Sequence, residues 1–225
     1  MTRLARLYPA RLHLAHLHLA RLHLARLHLA RLHLASRRVP AALGALAGCA
    51  AVLWVALHRH WDAYGALQLP LLFETACANV VAIATTSPFG DPERVTGRPL
   101  PWLRMGTAVA LTAAAAVALT ATGIGTDLAG GPVTAVRNLA GLTGVGLVCA
   151  AAIGGALAWI GPTAYALLGV YALYSQWHSP ALTSPWIWPG RPGNDPGAAL
   201  CAGIVLAAGL VAVTTWGARD APPAA

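Results

Sequence analysis

The chain has 225 residues, of which 57% are hydrophobic and only 10% are charged, and its formal net charge is +8. Such a composition leaves too little polar surface to cover a water-soluble globule of this size. All 15 cationic residues are arginine. Because a phosphate-binding P-loop requires a lysine and no Gly-x-Ser-x-Gly occurs, we expect a membrane protein that is not itself an enzyme and has no catalytic residues.

An unusual repeat precedes the apolar part of the chain. Residues 11–35 are five copies of Arg-Leu-His-Leu-Ala, with His16 as the one departure. In a helix, equivalent side chains rotate by about 140° per copy, so no fixed apolar face develops. Three interpretations of residues 1–38 stay open: a disordered arm, a surface helix that binds lipid or metal through its arginines or histidines, and a stretch upstream of the true translation start.

Six apolar stretches, poor in charged residues, follow between residues 39 and 217. They predict six membrane-spanning helices in an all-α bundle, with residues 218–225 as a short cytoplasmic tail. The fifth is short for a full crossing, so we expect it to lean on the fourth across a tight turn at residues 159–162. The predicted spans are 39–57, 66–86, 105–124, 138–159, 162–176 and 197–216.

Arginines predict the orientation of the bundle, because short loops rich in Arg remain on the cytoplasmic side. Arginines flank the first span, fill the loop between the second and third, and follow the sixth. These residues are Arg37, Arg38, Arg94, Arg98, Arg104 and Arg219. Both termini are therefore expected inside, in a multi-pass protein of the cell membrane. The division of the arginines between a terminal repeat and span flanks does not indicate nucleic-acid binding.

The second predicted span carries Glu74, the only acidic residue deep inside a span, and Asn79 follows it. A buried carboxylate in a membrane is costly, and such residues usually face a bundle interior or an aqueous path. Glu74 and Asn79 are thus candidates for a transport path, with Arg137 of span four as a possible partner. The alternative is a protonated or hydrogen-bonded residue that only contributes to packing.

The fourth predicted span also carries small residues at close spacing, namely Gly141, Gly144, Gly154 and Gly155. Small residues let helix backbones approach closely in a membrane. We expect close packing along this span, either within the chain or with a second copy.

Histidines and cysteines are weak candidates for chemistry. His58 and His60 form a His-x-His at the end of span one, and His178 lies in another predicted outer loop, so a metal or haem site is conceivable from these residues. We expect neither metal nor cofactor, because no partner of known spacing accompanies them. Four cysteines lie in four different spans without a Cys-x-x-Cys, which is typical of small apolar residues: Cys49, Cys77, Cys149 and Cys201.

The loop between spans two and three has its own helix signal. Asp91 can cap a helix, Pro92 suits its first position and Glu93 its first turn. A short cytoplasmic helix with Phe89 before it could dock onto a partner protein. A solvated turn is the alternative.

This arrangement resembles the permease subunit of an ABC-type exporter, which has six spans, inward termini and a coupling helix between spans two and three. Residues 87–94 (SPFGDPER) and 137–144 (RNLAGLTG) are similar to segments of uncharacterised actinobacterial membrane proteins found with such transporters. The resemblance implies a separate ATPase subunit and a homodimer or paired permease. It also implies coupling to the ATPase through Phe89, Asp91, Glu93 and Arg94. The chain departs from that family in lacking an amphipathic helix before span one.

Two other functions stay open. The chain could be a non-transporting accessory or sensor protein, whose Trp-rich outer loop at residues 177–188 binds a ligand. It could also be a haem- or metal-handling membrane protein that uses His58, His60 and His178.

Overall fold

The computed structural model describes residues 39–59, 63–85, 100–124, 128, 130–175 and 184–216. This part of the chain forms helices and contains no strand, which confirms the expected all-α class for the described residues. Two short 3₁₀ turns, Gly155–Leu157 and Trp188–Gly190, accompany the α-helices. The six α-helices are α1 (Val39–Leu57), α2 (Ala63–Ala84), α3 (Leu100–Thr122), α4 (Gly131–Ile153), α5 (Ile160–Ser175) and α6 (Pro196–Thr215).

Five helical segments of this part are long and apolar enough to cross a membrane. They comprise α1, Pro101–Thr122 of α3, α4, Gly155–Tyr174 and α6. The apolar part of α2 is shorter, Gln68–Ala84. The chain thus has the helices of a membrane protein, while the sixth span and the orientation stay predictions.

The boundaries of α4 differ from those of the predicted fourth span, 138–159. The helix begins at Gly131, because Gly130 and Gly131 adopt positive φ angles of 78° and 75° that form a turn, and a proline suits the first turn that follows. It ends at Ile153, because Gly154 has a φ of 99°. The predicted bounds were wrong because Arg137 was taken as the outer edge of the span, whereas it lies inside the helix. The turn between α4 and α5 consequently occupies residues 154–159.

α4 lies at the centre of the bundle. It packs most extensively on α6 and next on α2, whereas α1 packs on α2 and α3 at the periphery. At Gly144 the α4 backbone contacts α6 so closely that an added Cβ would lie 2.5 Å from the backbone of Val205. From the other side, a Cβ added at Gly209 would lie 2.5 Å from the carbonyl oxygen of Gly144. The two glycines therefore permit a contact that no larger residue allows.

Residues 184–195, here called the cap segment, fold over the end of the bundle at which α2, α4 and α6 begin. We call this the cap end. Trp188 of the cap segment is buried over Gly141, and its ring stacks on Tyr165 with centroids 4.4 Å apart. The Tyr165 hydroxyl donates a hydrogen bond to the carbonyl of Trp186. These contacts hold the cap segment against α4 and α5.

Candidate functional site

Glu74 lies on the face of α2 that packs into the bundle. Leu71, Ala78 and Val81 are buried on the same face, at the spacing of a helix stripe. Only 2% of Glu74 is exposed, so its carboxyl group is fully enclosed by protein. Asn138 of α4 lies beside this carboxyl group, and one carboxyl oxygen, Oε2, is buried without a hydrogen-bond partner. A buried acceptor without a partner is costly and marks a site that another group can complete.

Arg137 connects α4 to the cap segment. Its Nη2 donates to the carbonyls of Trp188 at 2.7 Å and Arg191 at 3.0 Å, and its Nη1 donates to that of Pro192 at 2.6 Å. The side chain is only 5% exposed. Since three carbonyls of one segment accept from one guanidinium, Arg137 fixes the position of the cap segment on α4.

Glu74, Asn138 and Arg137 form one connected set of polar groups, which we call the Glu74 network. Nε and Nη2 of Arg137 both donate to Oδ1 of Asn138 at 3.3 Å. Asn138 also lies beside the Glu74 carboxyl group, so it stands between the guanidinium and this carboxyl group. Arg137 also attracts Glu74 electrostatically. The expected pairing of Glu74 with Arg137 thus runs through Asn138.

An ion pair stabilises the end of the cap segment. Nε of Arg191 donates to Oδ2 of Asp195 at 2.5 Å. Oδ1 of Asp195 accepts from the backbone N–H groups of Gly197 at 2.8 Å and Ala198 at 3.2 Å, so Asp195 is the N-cap of α6. The hydrogen bond from Arg191 and those from the helix N-terminus lower the pKa of Asp195 below its usual value. The cap segment therefore ends in a defined helix start.

A cavity of about 270 Å³ lies beneath the cap segment, between α2, α4 and the end of α5. Glu74, Thr134 and Asn138 line it from the helices, and residues 189–193 line it from the cap segment. The Glu74 network thus borders a partly open cavity, which gives this end of the bundle the form of a binding site.

Further polar atoms lie deeper in the bundle. Asn79 follows Glu74 by five residues on α2, and Thr143 follows Asn138 by five on α4, so each pair is separated by about 7.5 Å along its helix. Nδ2 of Asn79 donates to the hydroxyl of Thr163 at 3.2 Å. Oδ1 of Asn79 and Oγ1 of Thr143 are buried without a partner. Polar groups therefore recur at two levels, and Asn79 belongs to the deeper one.

The four predicted packing glycines fall into two groups. Gly141 makes room for Trp188, and Gly144 makes room for the backbone of α6. Gly154 instead ends α4 with its positive φ, and Gly155 begins the 3₁₀ turn. The latter two serve the chain reversal between α4 and α5, because neither lies inside a helix.

Other predicted site residues lie outside the described residues. These are the partner-coupling residues Phe89, Asp91, Glu93 and Arg94, the histidines His60 and His178, and the repeat arm 1–38. His58 is described: its Nδ1 lies 2.8 Å from the carbonyl oxygen of Trp54, and the two rings are in contact. Within the described residues, no three His, Cys, Asp or Glu side chains are grouped so that they could hold a metal ion.

Sequence reasoning missed three features of this bundle. Asn138 links the two charged residues, and its signal was a polar residue next to Arg137 within an apolar helix. Trp188 was considered only as part of the Trp-rich outer loop, although it is buried. The thiols of Cys49 and Cys77 lie close together across the contact between α1 and α2. The spacing of residues in the sequence does not predict this contact, because helix packing brings the two cysteines together.

Comparisons of the chain with protein-family models, with curated proteins and with solved structures give no match. A function for this protein is therefore argued from its own residues and their geometry.

Proposed function

We propose that the chain is the permease subunit of an ABC-type export system in the cell membrane, working with a separate ATPase subunit. The observation that carries this proposal is the Glu74 network beside a cavity at one end of an apolar bundle. Ionisable residues inside a membrane are costly, so their presence usually marks a path for a substrate or ion. The second polar level at Asn79 and Thr143 supports a path that continues into the bundle.

In this proposal all six helices cross the bilayer and both termini face the cytoplasm. α2 has 22 residues, which corresponds to about 33 Å and suffices for a hydrocarbon core of about 30 Å. The distribution of arginines supports the orientation, because the loop at residues 94–104 and the two flanks then lie inside. The cap segment consequently faces the outside, and the bilayer surrounds the bundle.

The mechanism follows from these positions. Closure of the ATPase subunits would move residues 89–94 and rock the helices relative to one another. Cargo would then pass from the level of Asn79 and Thr143 to that of Glu74. The cap segment would close the outer exit, with the hydrogen bonds of Arg137 holding it in place.

Co-purification tests this proposal. A tagged protein should be isolated from its native host in mild detergent and the accompanying proteins identified by mass spectrometry. We expect a P-loop ATPase, which is lost when Asp91, Glu93 and Arg94 are replaced together by alanine. Replacement of Arg219 and Asp220 by alanine is the matched control, since it removes charges from the other predicted cytoplasmic segment. An ATPase that still accompanies the triple variant would reject the coupling role, and its absence from the wild-type sample would reject the permease.

A sensor or accessory protein is the second candidate. It is favoured by the many contacts that fix the cap segment, namely three carbonyls bound by Arg137 and a buried Trp188. A sensor needs the cavity but no path through the bundle. Replacing Asn79 with leucine and Thr143 with valine should therefore leave a sensor functional, whereas it should stop export by a permease.

A further inference from the structure

The cavity beneath the cap segment has the size and lining of a small-molecule site. Leu71, Leu173 and Pro189 make part of its wall apolar, and Glu74 and Thr134 are among its polar residues. Its volume of about 270 Å³ compares with the roughly 150 Å³ that suffices for a molecule the size of benzene. A small organic ligand therefore fits.

The polar side chains around the cavity have hydrogen-bond partners, with one exception. The guanidinium of Arg137 donates to carbonyls of the cap segment and to Asn138. Nε of Arg191 donates to Asp195, and the hydroxyl of Thr134 donates to a backbone carbonyl. Among the buried side-chain atoms of the described wall, Oε2 of Glu74 is left without a partner. The group missing from this site is thus a hydrogen-bond donor.

We propose that this cavity binds a small organic ammonium ion, whose N–H donates to Oε2 of Glu74 and whose apolar part lies against Leu71 and Leu173. A charge-assisted hydrogen bond is roughly twice as strong as a neutral one, so it best compensates a buried carboxylate. An anion offers acceptors rather than the N–H donor that Oε2 lacks. A hard metal cation requires about six oxygen ligands, and the described wall offers a single carboxylate with an unpartnered oxygen.

The assignment of this cavity as the cargo site of an exporter rests on the proposed function. Binding itself is a property of the chain alone and needs no ATPase. Co-purification of an ATPase by a chain that binds no ammonium ion would reject this inference only. Binding by a chain that recruits no ATPase would retain the site and reject the permease.

Calorimetric titration of the full-length protein in mild detergent with n-butylammonium chloride tests the site. We expect saturable binding that Glu74→Gln weakens about 10- to 100-fold, which is the effect of losing one hydrogen bond to a charged group. Butan-1-ol, which has a similar shape but no charge, should bind far more weakly. Glu74→Gln keeps the shape of the side chain, so its melting temperature should be checked and remain close to that of the wild type.

A second variant locates the ligand without changing Glu74. Leu173→Trp should fill the cavity and abolish binding, because Leu173 lines it. Leu167→Trp is the matched control on α5, since Leu167 is 66% exposed, and it should bind as the wild type does. No saturable binding to the wild type, or equal binding by Glu74→Gln or Leu173→Trp, would overturn the proposal.

An ammonium group can come from a soluble amine or from a lipid headgroup. Titration in nanodiscs that contain phosphatidylethanolamine or phosphatidylcholine distinguishes the two sources. Competition by phosphatidylethanolamine alone would assign the natural ligand to a lipid headgroup. Equal butylammonium affinity in both lipids would assign it to a soluble amine.

Discussion

α1 and α4 differ in a way that reverses the rule for soluble proteins. An 18-residue stretch of α1 has a mean hydropathy of 2.0, yet only 17% of its residues are buried within the chain. An 18-residue stretch of α4 has the lower mean hydropathy of 1.6, and 61% of its residues are buried. In a membrane the surrounding lipid is itself apolar, so an apolar helix gains no hydrophobic free energy by moving from the lipid-facing surface into the bundle. Burial instead follows from small and polar residues, which contact other helices or one another.

The glycines of the two helices illustrate this difference. Gly44 and Gly48 of α1 have nothing within 4 Å of the position where a Cβ would be. Gly141 and Gly144 of α4 would each place a Cβ within 2.5 Å of another residue. The same residue type is therefore required at one helix and dispensable at the other, and this contrast can be tested by substitution.

The largest effect is expected at the charged residue of α4. Arg137→Gln removes the donor to three carbonyls of the cap segment and leaves Glu74 without the nearby positive charge. Removal of one partner from a buried charged set typically costs about 3–5 kcal/mol. We expect a large fall in melting temperature in mild detergent and faster proteolysis of the cap segment.

Arg59→Gln is the control for this comparison, because Arg59 is exposed just beyond the end of α1. It should leave both the melting temperature and the proteolysis rate nearly unchanged. Equal effects of the two substitutions would show that Arg137 is no more important to the fold than an exposed arginine.

The next effect concerns the contact between α4 and α6. Gly144→Ala places a methyl group against the backbone of Val205, which cannot move without shifting α6. Overpacking of this kind costs about 1–3 kcal/mol. Gly48→Ala on α1 should instead be neutral or slightly stabilising, because alanine is the better helix former and the space there is open. Thermal unfolding of both variants measures the difference, and a similar stability for the two would contradict the contrast between the helices.

A smaller coupling is expected between Gly141 and Trp188. Gly141→Ala should destabilise the protein because the new methyl group meets the indole ring. In a Trp188→Leu background the same substitution should cost much less, since the ring is gone. Coupling between residues in contact is typically about 0.5–3 kcal/mol, and a double-mutant cycle of melting experiments measures it. Additive effects would mean that the ring moves aside freely.

Much of the helical architecture could be predicted from the sequence, because an apolar stretch of sufficient length is enough to predict a membrane-spanning helix. The end of α1 at Leu57 was predicted to the residue. The start of α4 was not, since Arg137 was taken as the edge of the span. Its position inside a helix depends on carbonyls of the cap segment more than 50 residues away, and no local pattern contains that information.

The candidate site was predicted in the same uneven way. Glu74 stands out as a lone acid in an apolar span, so its importance is readable from the sequence. The bridging role of Asn138 and the cavity beneath the cap segment depend on how α2, α4 and the cap segment are packed together. Likewise, Cys49 and Cys77 meet only because α1 lies on α2.

The smallest expected effect belongs to the ion pair at the edge of the cap segment. Arg191 and Asp195 repeat the chemistry of Arg137 in a more exposed place, where water screens the pair. The Arg191 guanidinium and the helix N-terminus hold the pKa of Asp195 below its usual value, so the folded state favours the ionised form. The stabilisation is therefore present at neutral pH and is lost as the pH falls below the ordinary carboxyl range towards the lowered pKa. Asp195→Asn should lower the melting temperature slightly at pH 7, and the difference from the wild type should vanish in acid. A difference that persists unchanged at low pH would mean that the charge of Asp195 contributes nothing and that its effect comes only from capping α6.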